Sequence, residues 1–165
     1  MTETLVKIRF ELDGEEWHGH GTETLWAMPI AGSQRRLFQL KNSPFYVRGI
    51  SHLDIVRATP TEGSRGMFDF VEVIERGGHS TYMLLIPPDD PRRGTYWNLL
   101  QGLGCSYEGA ELGFSFGKRL LYSVDVPPTT DLNEVREILD RGESDGVWMY
   151  QDGYVSNPAS PPKAQ

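Results

Sequence analysis

The stretch Asn42-Ser43-Pro44-Phe45-Tyr46-Val47-Arg48-Gly49-Ile50-Ser51-His52-Leu53-Asp54-Ile55-Val56 decides how the rest of the chain is read. It sets a turn former, two aromatics, a glycine, a histidine and an aspartate between two apolar runs. As chemistry, His52 reads as a general base with Asp54 as its orienting carboxylate and Tyr46 or Ser51 as a hydroxyl partner. As fold, the same residues make a corner. Asn42-Ser43-Pro44 turns the chain, Pro44-Phe45-Tyr46 plugs a small barrel, and Asp54 pairs with Arg48 or caps a turn. No GxSxG elbow or comparable signature backs the catalytic reading, so the corner is the expectation.

Toward the N-terminus, Val6, Ile8, Phe10 and Leu12 alternate with Lys7, Arg9 and Glu11, the period of a strand with one buried face. Asp13-Gly14 turns the chain into a glycine-rich loop anchored by Trp17. Thr22 to Ile30 reads as a second strand ended by Pro29, and Arg35 to Leu40 as a third. Asp54 to Ala58 and Met67 to Glu75 supply two more. Five short strands with no helix between them predict a small β-barrel over residues 1–78, filled by Phe10, Trp26, Phe38, Phe45 and Phe68.

The pattern changes after Arg76-Gly77-Gly78. His79 to Ile86 is a strongly apolar strand, and Asp89-Asp90-Pro91 opens a helix that runs to about Gly102. Cys105 to Leu112 and Arg119 to Val126 are strands, the second with Leu120, Tyr122, Val124 and Val126 on one face. Asp131 and Glu134 stand at capping-box spacing before the apolar stripe Leu132, Val135, Ile138 and Leu139, and Gly142 closes that helix. Val147 to Tyr150 is a last strand. Strand, helix, strand, strand, helix, strand predicts a ferredoxin-like (split βαβ) subdomain over 79–150, making the whole chain α+β. Residues 151–165 read as a disordered tail.

Composition narrows the function. A net charge of −7 disfavours nucleic acid, whose phosphates select clustered Lys and Arg, and suits a basic protein partner. The N-terminus lacks a signal-peptide pattern and no apolar run approaches a membrane span, so a soluble cytoplasmic protein is expected. The single cysteine excludes an internal disulfide and any multi-cysteine zinc site. Its own reading is a half-buried core residue rather than a nucleophile. His18, His20, His52 and His79 match no recurring zinc spacing and are taken as loop histidines; no metal and no cofactor are expected.

The chain resembles an uncharacterised bacterial family, a domain of unknown function. The carrying residues are Glu23-x-x-Trp26-Ala27, Asn42-x-Pro44-Phe45-Tyr46-x-x-Gly49, Asp54-Ile55-Val56 and Gly78-His79-Ser80-Thr81, then Leu103-Gly104-Cys105, Val124-Asp125-Val126-Pro127 and Gly146-x-Trp148-x-Tyr150. The resemblance implies a bacterial cytoplasmic protein and brings no activity, substrate or cofactor. The functional expectation is a non-enzymatic protein-binding or regulatory module, antitoxin- or immunity-like, with a basic partner. The alternative is a small hydrolase-like enzyme, or a small-molecule sensor, with its site where the two subdomains meet. That site draws on His52, Asp54 and His79 for chemistry and on Glu23, Asn42, Tyr46 and Ser80 for binding.

Overall fold

A computed structural model describes residues 4–156. Five strands, β1 (Val6–Glu11), β2 (Thr22–Pro29), β3 (Leu37–Leu40), β4 (Ile55–Pro60) and β5 (Met67–Glu75), close into a barrel. Successive strands pair antiparallel, and a parallel pairing of β1 with β5, Lys7 opposite Met67, shuts it. The alternation in β1 is used as expected, with Val6, Ile8 and Phe10 facing inward among Leu25, Phe38, Leu40, Val56 and Phe68.

Two expected fillers lie elsewhere. Trp26 is exposed on the outer wall under the Lys7 ammonium, and Phe45 is half-buried outside the barrel core. Ile50 and Val47 fill the barrel mouth instead. The plug is therefore the later part of the corner. The physical reason is the turn at Pro44, which carries Phe45 and Tyr46 past the barrel before the chain bends back at Gly49, where φ is +92°.

The second layer is a four-stranded sheet built from β6 (Ser80–Ile86), β7 (Ser106–Phe114), β8 (Gly117–Val126) and β9 (Met149–Tyr154). Its strand order is β7-β8-β6-β9, every pairing antiparallel. Helices α1 (Arg92–Gly102) and α2 (Leu132–Ser144) connect it. Leu100, Val135, Ile138 and Leu139 pack on Tyr82, Leu84 and Ile86 of β6 and on Tyr122, Val124 and Val126 of β8, so one sheet face is covered by both helices. The architecture is mixed α+β, a closed barrel beside a helix-covered sheet. Among the described residues no helix is long and apolar enough to cross a membrane.

Asp131 caps α2 by accepting the Asn133 amide at 2.8 Å, as its spacing foretold. Gly142, expected to close the helix, lies inside it. A Cβ there would run into the Trp148 indole, whose Nε1 donates to the Leu139 carbonyl at 3.0 Å. The helix ends instead at Asp145, before Gly146 at φ +78°. The last strand starts two residues later than expected and continues to Tyr154, and the Ser156 amide donates to Ser80 Oγ at 2.8 Å. Residues 151–154 thus belong to the sheet, Ser156 is tied to β6 through Ser80, and the rest of the expected tail lies outside the described residues.

Odd-numbered positions of β6 and β8 look away from the helices, toward the barrel. Thr81, Met83 and Leu85 run in a row along this face just after His79, and Asp125, Ser123 and Leu121 run beside them in register. It grades from polar to apolar. The barrel corner, residues 41–54, lies across its middle: Ser123 Oγ donates to the Pro44 carbonyl at 2.5 Å, Ser51 Oγ meets Thr81 Oγ1 at 2.7 Å, and the Gly49 amide donates to the Gly153 carbonyl at 2.9 Å.

Candidate functional site

The corner is built on two carboxylates. Glu23, on β2, accepts the amides of Phe45 at 2.7 Å, Tyr46 at 3.0 Å and Val47 at 2.9 Å, so it holds the outgoing arm. Asp54 is 0% exposed and holds the returning arm. It accepts the Ser51 amide at 2.9 Å, the Gly77 amide at 2.9 Å and the Arg76 guanidinium at 3.2 Å. Its cationic partner is therefore Arg76 and not Arg48, which pairs with Glu16 at 3.0 Å. A buried carboxylate persists only when its lone pairs are met, and here backbone donors and one guanidinium meet them.

Between Ser51 and Asp54 the backbone turns through Leu53 at φ +71°, a left-handed conformation that is costly for a branched side chain. The turn points Asp54 into the corner and leaves His52 facing the sheet. Gly77 passes so close beneath it that an added Cβ would sit 2.7 Å from the Leu53 carbonyl oxygen. Only a glycine fits there, and this close approach sets His79 beside His52, their rings 5.1 Å apart and nearly perpendicular at 82°.

Asp125, at the C-terminal end of β8, completes the group. Its carboxylate lies 2.8 and 3.1 Å from His79 Nδ1 and 3.8 Å from His52 Nδ1. All three side chains are partly buried. A polar pocket of about 80 Å³ opens next to them, lined by Ser43, Ser106, Tyr107, Glu108 and Ser123 as well as His52 and Asp125. Burial, reinforced by the Asp125 charge, pushes the nearby Cys105 thiol up to about 12, so it is inert rather than nucleophilic.

The expected site residues therefore separate. His52 and His79 converge, whereas Asp54 and Glu23 bind backbone donors of the corner. Asn42 accepts the Trp26 amide at 2.8 Å, and Ser80 accepts from Ser156. The Tyr46 ring packs on His20, 4.6 Å between centroids, and on His18 at 4.8 Å; burial first and Glu23 second raise its hydroxyl pKa. Sequence reasoning overlooked Asp125. Its signal was present: a charge between Val124 and Val126, two residues after Ser123, in a strand whose other residues from Leu120 on are apolar or aromatic.

The far end of the same face is a different kind of cavity. An apolar groove of about 360 Å³ is formed by Met83, Leu85, Leu121 and Met149 on the sheet, Phe114 and Phe116 at the β7–β8 turn, and Trp17 from the barrel loop. Phe116 is 62% and Met149 66% exposed, so its walls stand open. Gln151 brings a carboxamide whose nitrogen meets the Met83 thioether at 3.4 Å.

The chain belongs to a family described as domain of unknown function DUF4265, whose model matches residues 23–150. Among curated proteins nothing matches. A crystal structure of a hypothetical protein from Neisseria gonorrhoeae is similar in fold, with a TM-score of 0.64 at 13% identity over 95% of this chain and 98% of that one.

Proposed function

We propose that this DUF4265 member is a non-enzymatic binding protein that takes a small, uncharged, largely apolar molecule in the groove between its sheet and the Trp17 loop. The observation that carries the reading is the groove itself, an open apolar cleft of about 360 Å³. That volume falls in the range of ligand sites, about 300–1,000 Å³. Three aromatic rings and two methionines give adaptable contact area, and among the described residues no charged side chain lines the walls, which favours a neutral occupant. Gln151 supplies one amide to orient it, since its thioether partner is a weak acceptor and easily exchanged.

The sheet with its two helices we read as ferredoxin-like; the order β7-β8-β6-β9 and both helices on one face support this. A basic protein partner draws support from the net charge of −7. Against it, the Asp140, Glu143 and Asp145 carboxylates of the acidic α2 region are engaged by Tyr150 and Tyr96 within the fold. The hydrolase-like reading is supported by the convergence of His52 and His79, but a pocket of about 80 Å³ beside them is small for a substrate.

The test is a fragment screen by amide and methionine-methyl NMR, using neutral aromatic and alicyclic probes such as indole and cyclohexanol. Binding should move the Met83 and Met149 methyl signals and the Gln151 amide in a saturable way. Perturbations scattered over the surface, or none at the groove, would overturn the reading.

A further inference from the structure

We propose that His52, His79 and Asp125 form a site for a divalent first-row transition ion of the zinc class, clamping the barrel corner to the sheet. This inference rests on the polar end of the face and is independent of the groove reading. One ligand atom from each of the three residues lies within 4.8 Å of the other two. Ligands bonded to zinc at about 2.0–2.2 Å in a tetrahedron stand about 3.3 Å apart. His79 Nδ1 stands 2.8 and 3.1 Å from the Asp125 oxygens, a few tenths of an ångström inside that spacing, and His52 Nδ1, at 3.8 Å from the carboxylate, lies about half an ångström outside it.

Three further features favour a cation over a closed hydrogen-bonded triad. Two carboxylates, Asp125 and Glu108, border the same small pocket, and among the described residues no Lys or Arg lines it, so the two histidines and the Ser43 amide are what face that charge. The cationic side chain nearest in sequence, Arg76, is committed elsewhere, to Asp54 and to the Gly49 carbonyl at 2.7 Å. Finally, the donors come from three separate segments, and two of them meet through a strained Leu53 and a glycine with no room for a Cβ. Strain of that kind persists where the surrounding structure fixes a geometry, and it clusters at working sites.

The donor set selects the metal. Two imidazoles and one carboxylate suit zinc, cobalt, nickel, iron or manganese and do not suit calcium or magnesium, which prefer all-oxygen sites. Three protein ligands leave a position free. It faces the pocket bordered by Ser43, Ser106, Glu108 and Ser123, where a water on the ion finds hydroxyl and carboxylate partners. His18 and His20, stacked 5.7 Å apart on the barrel loop with Glu16 3.7 Å from His18, serve as the internal comparison.

The experiment is calorimetric titration of chelator-treated protein with Zn²⁺, and with Co²⁺ for its visible spectrum. One ion should bind per chain, cobalt should give the intense bands of a four- or five-coordinate site, and ion binding should raise Tm by several degrees. Asp125→Asn, which keeps the shape of the side chain, should weaken binding more than tenfold. A double variant, His18→Ala with His20→Ala, should leave it unchanged. Should His52→Ala or His79→Ala fail to fold, side-chain ¹⁵N spectra of the parent protein decide instead, the ring nitrogens of His52 and His79 shifting on zinc addition. No saturable binding up to millimolar ion, affinity retained in Asp125→Asn, or affinity lost with the loop histidines would each overturn the proposal.

Discussion

At one end of the barrel-side sheet face, His79 and Asp125 meet His52 under cover of the barrel corner; at the other, Leu85, Leu121 and Met149 line an open groove with Trp17 and Phe116. Both ends are made by the same two central strands, β6 and β8, in one continuous register. What differs is the lid. The corner docks on Thr81, Ser123 and Gly153, near the middle of the face, and on its far side Phe116 and Met149 stand exposed. Polar groups gather where the backbone is fixed by paired carboxylates and a tight glycine contact, and apolar groups where a neutral molecule has room. A rigid end suits an ion that demands fixed distances, and an open one suits a ligand met by adaptable side chains.

The largest break in this contrast comes from removing the brace of the corner. Asp54→Ala leaves the Ser51 and Gly77 amides and the Arg76 guanidinium without their buried acceptor. Losing one partner of a buried, hydrogen-bonded pair costs about 3–5 kcal/mol. Urea unfolding followed by circular dichroism should show a loss of that order. A change below about 1 kcal/mol would mean that the corner is held by its apolar contacts, chiefly Ile50 and Val47 in the barrel mouth.

A smaller change should separate the two ends. Gly77→Ala places a methyl against the Leu53 carbonyl, and overpacking of this kind costs about 1–3 kcal/mol. The strain falls on the segment that sets His52 beside His79, so amide shifts should concentrate at the histidine end, while Met83 and Met149 keep their positions. Equal disturbance at both ends would show that the corner and the groove are one mechanical unit.

Much of the fold was legible because its signals were local. The period of two in Val6 to Glu11, the Asp131 cap and the exact span of Met67 to Glu75 each follow from residues within a few positions of one another. The candidate site was half legible. His52 and His79 stood out as titratable groups next to turn glycines, but Asp54 seemed the natural partner because it lies two residues from His52. A left-handed residue between them reverses that pairing, and nothing in Leu53 itself announces the conformation. Asp125 is distant in sequence and reaches the histidines only through the β6–β8 register. The role of Gly142 was hidden for the same reason, since it is the Trp148 indole that forbids a side chain there.

The smallest expected effect on stability tests the open end. Phe116→Ser removes an exposed ring at the β7–β8 turn, where it stacks on Phe114 at 4.9 Å and lies under the Arg119 guanidinium. An exposed ring outside the two apolar cores contributes little to folding, so the midpoint of urea unfolding should move by no more than about 0.5 kcal/mol. Binding of a neutral aromatic probe should nonetheless weaken several-fold, because a wall of the groove is gone, while Zn²⁺ affinity at the far end stays as it was. A probe affinity untouched by Phe116→Ser would confine the binding surface to Met83, Leu85 and Leu121 on the sheet, with the turn as a bystander. A large stability loss would instead make the turn a structural clasp over the sheet, since a wall that serves only a ligand can be removed from the free protein at almost no cost.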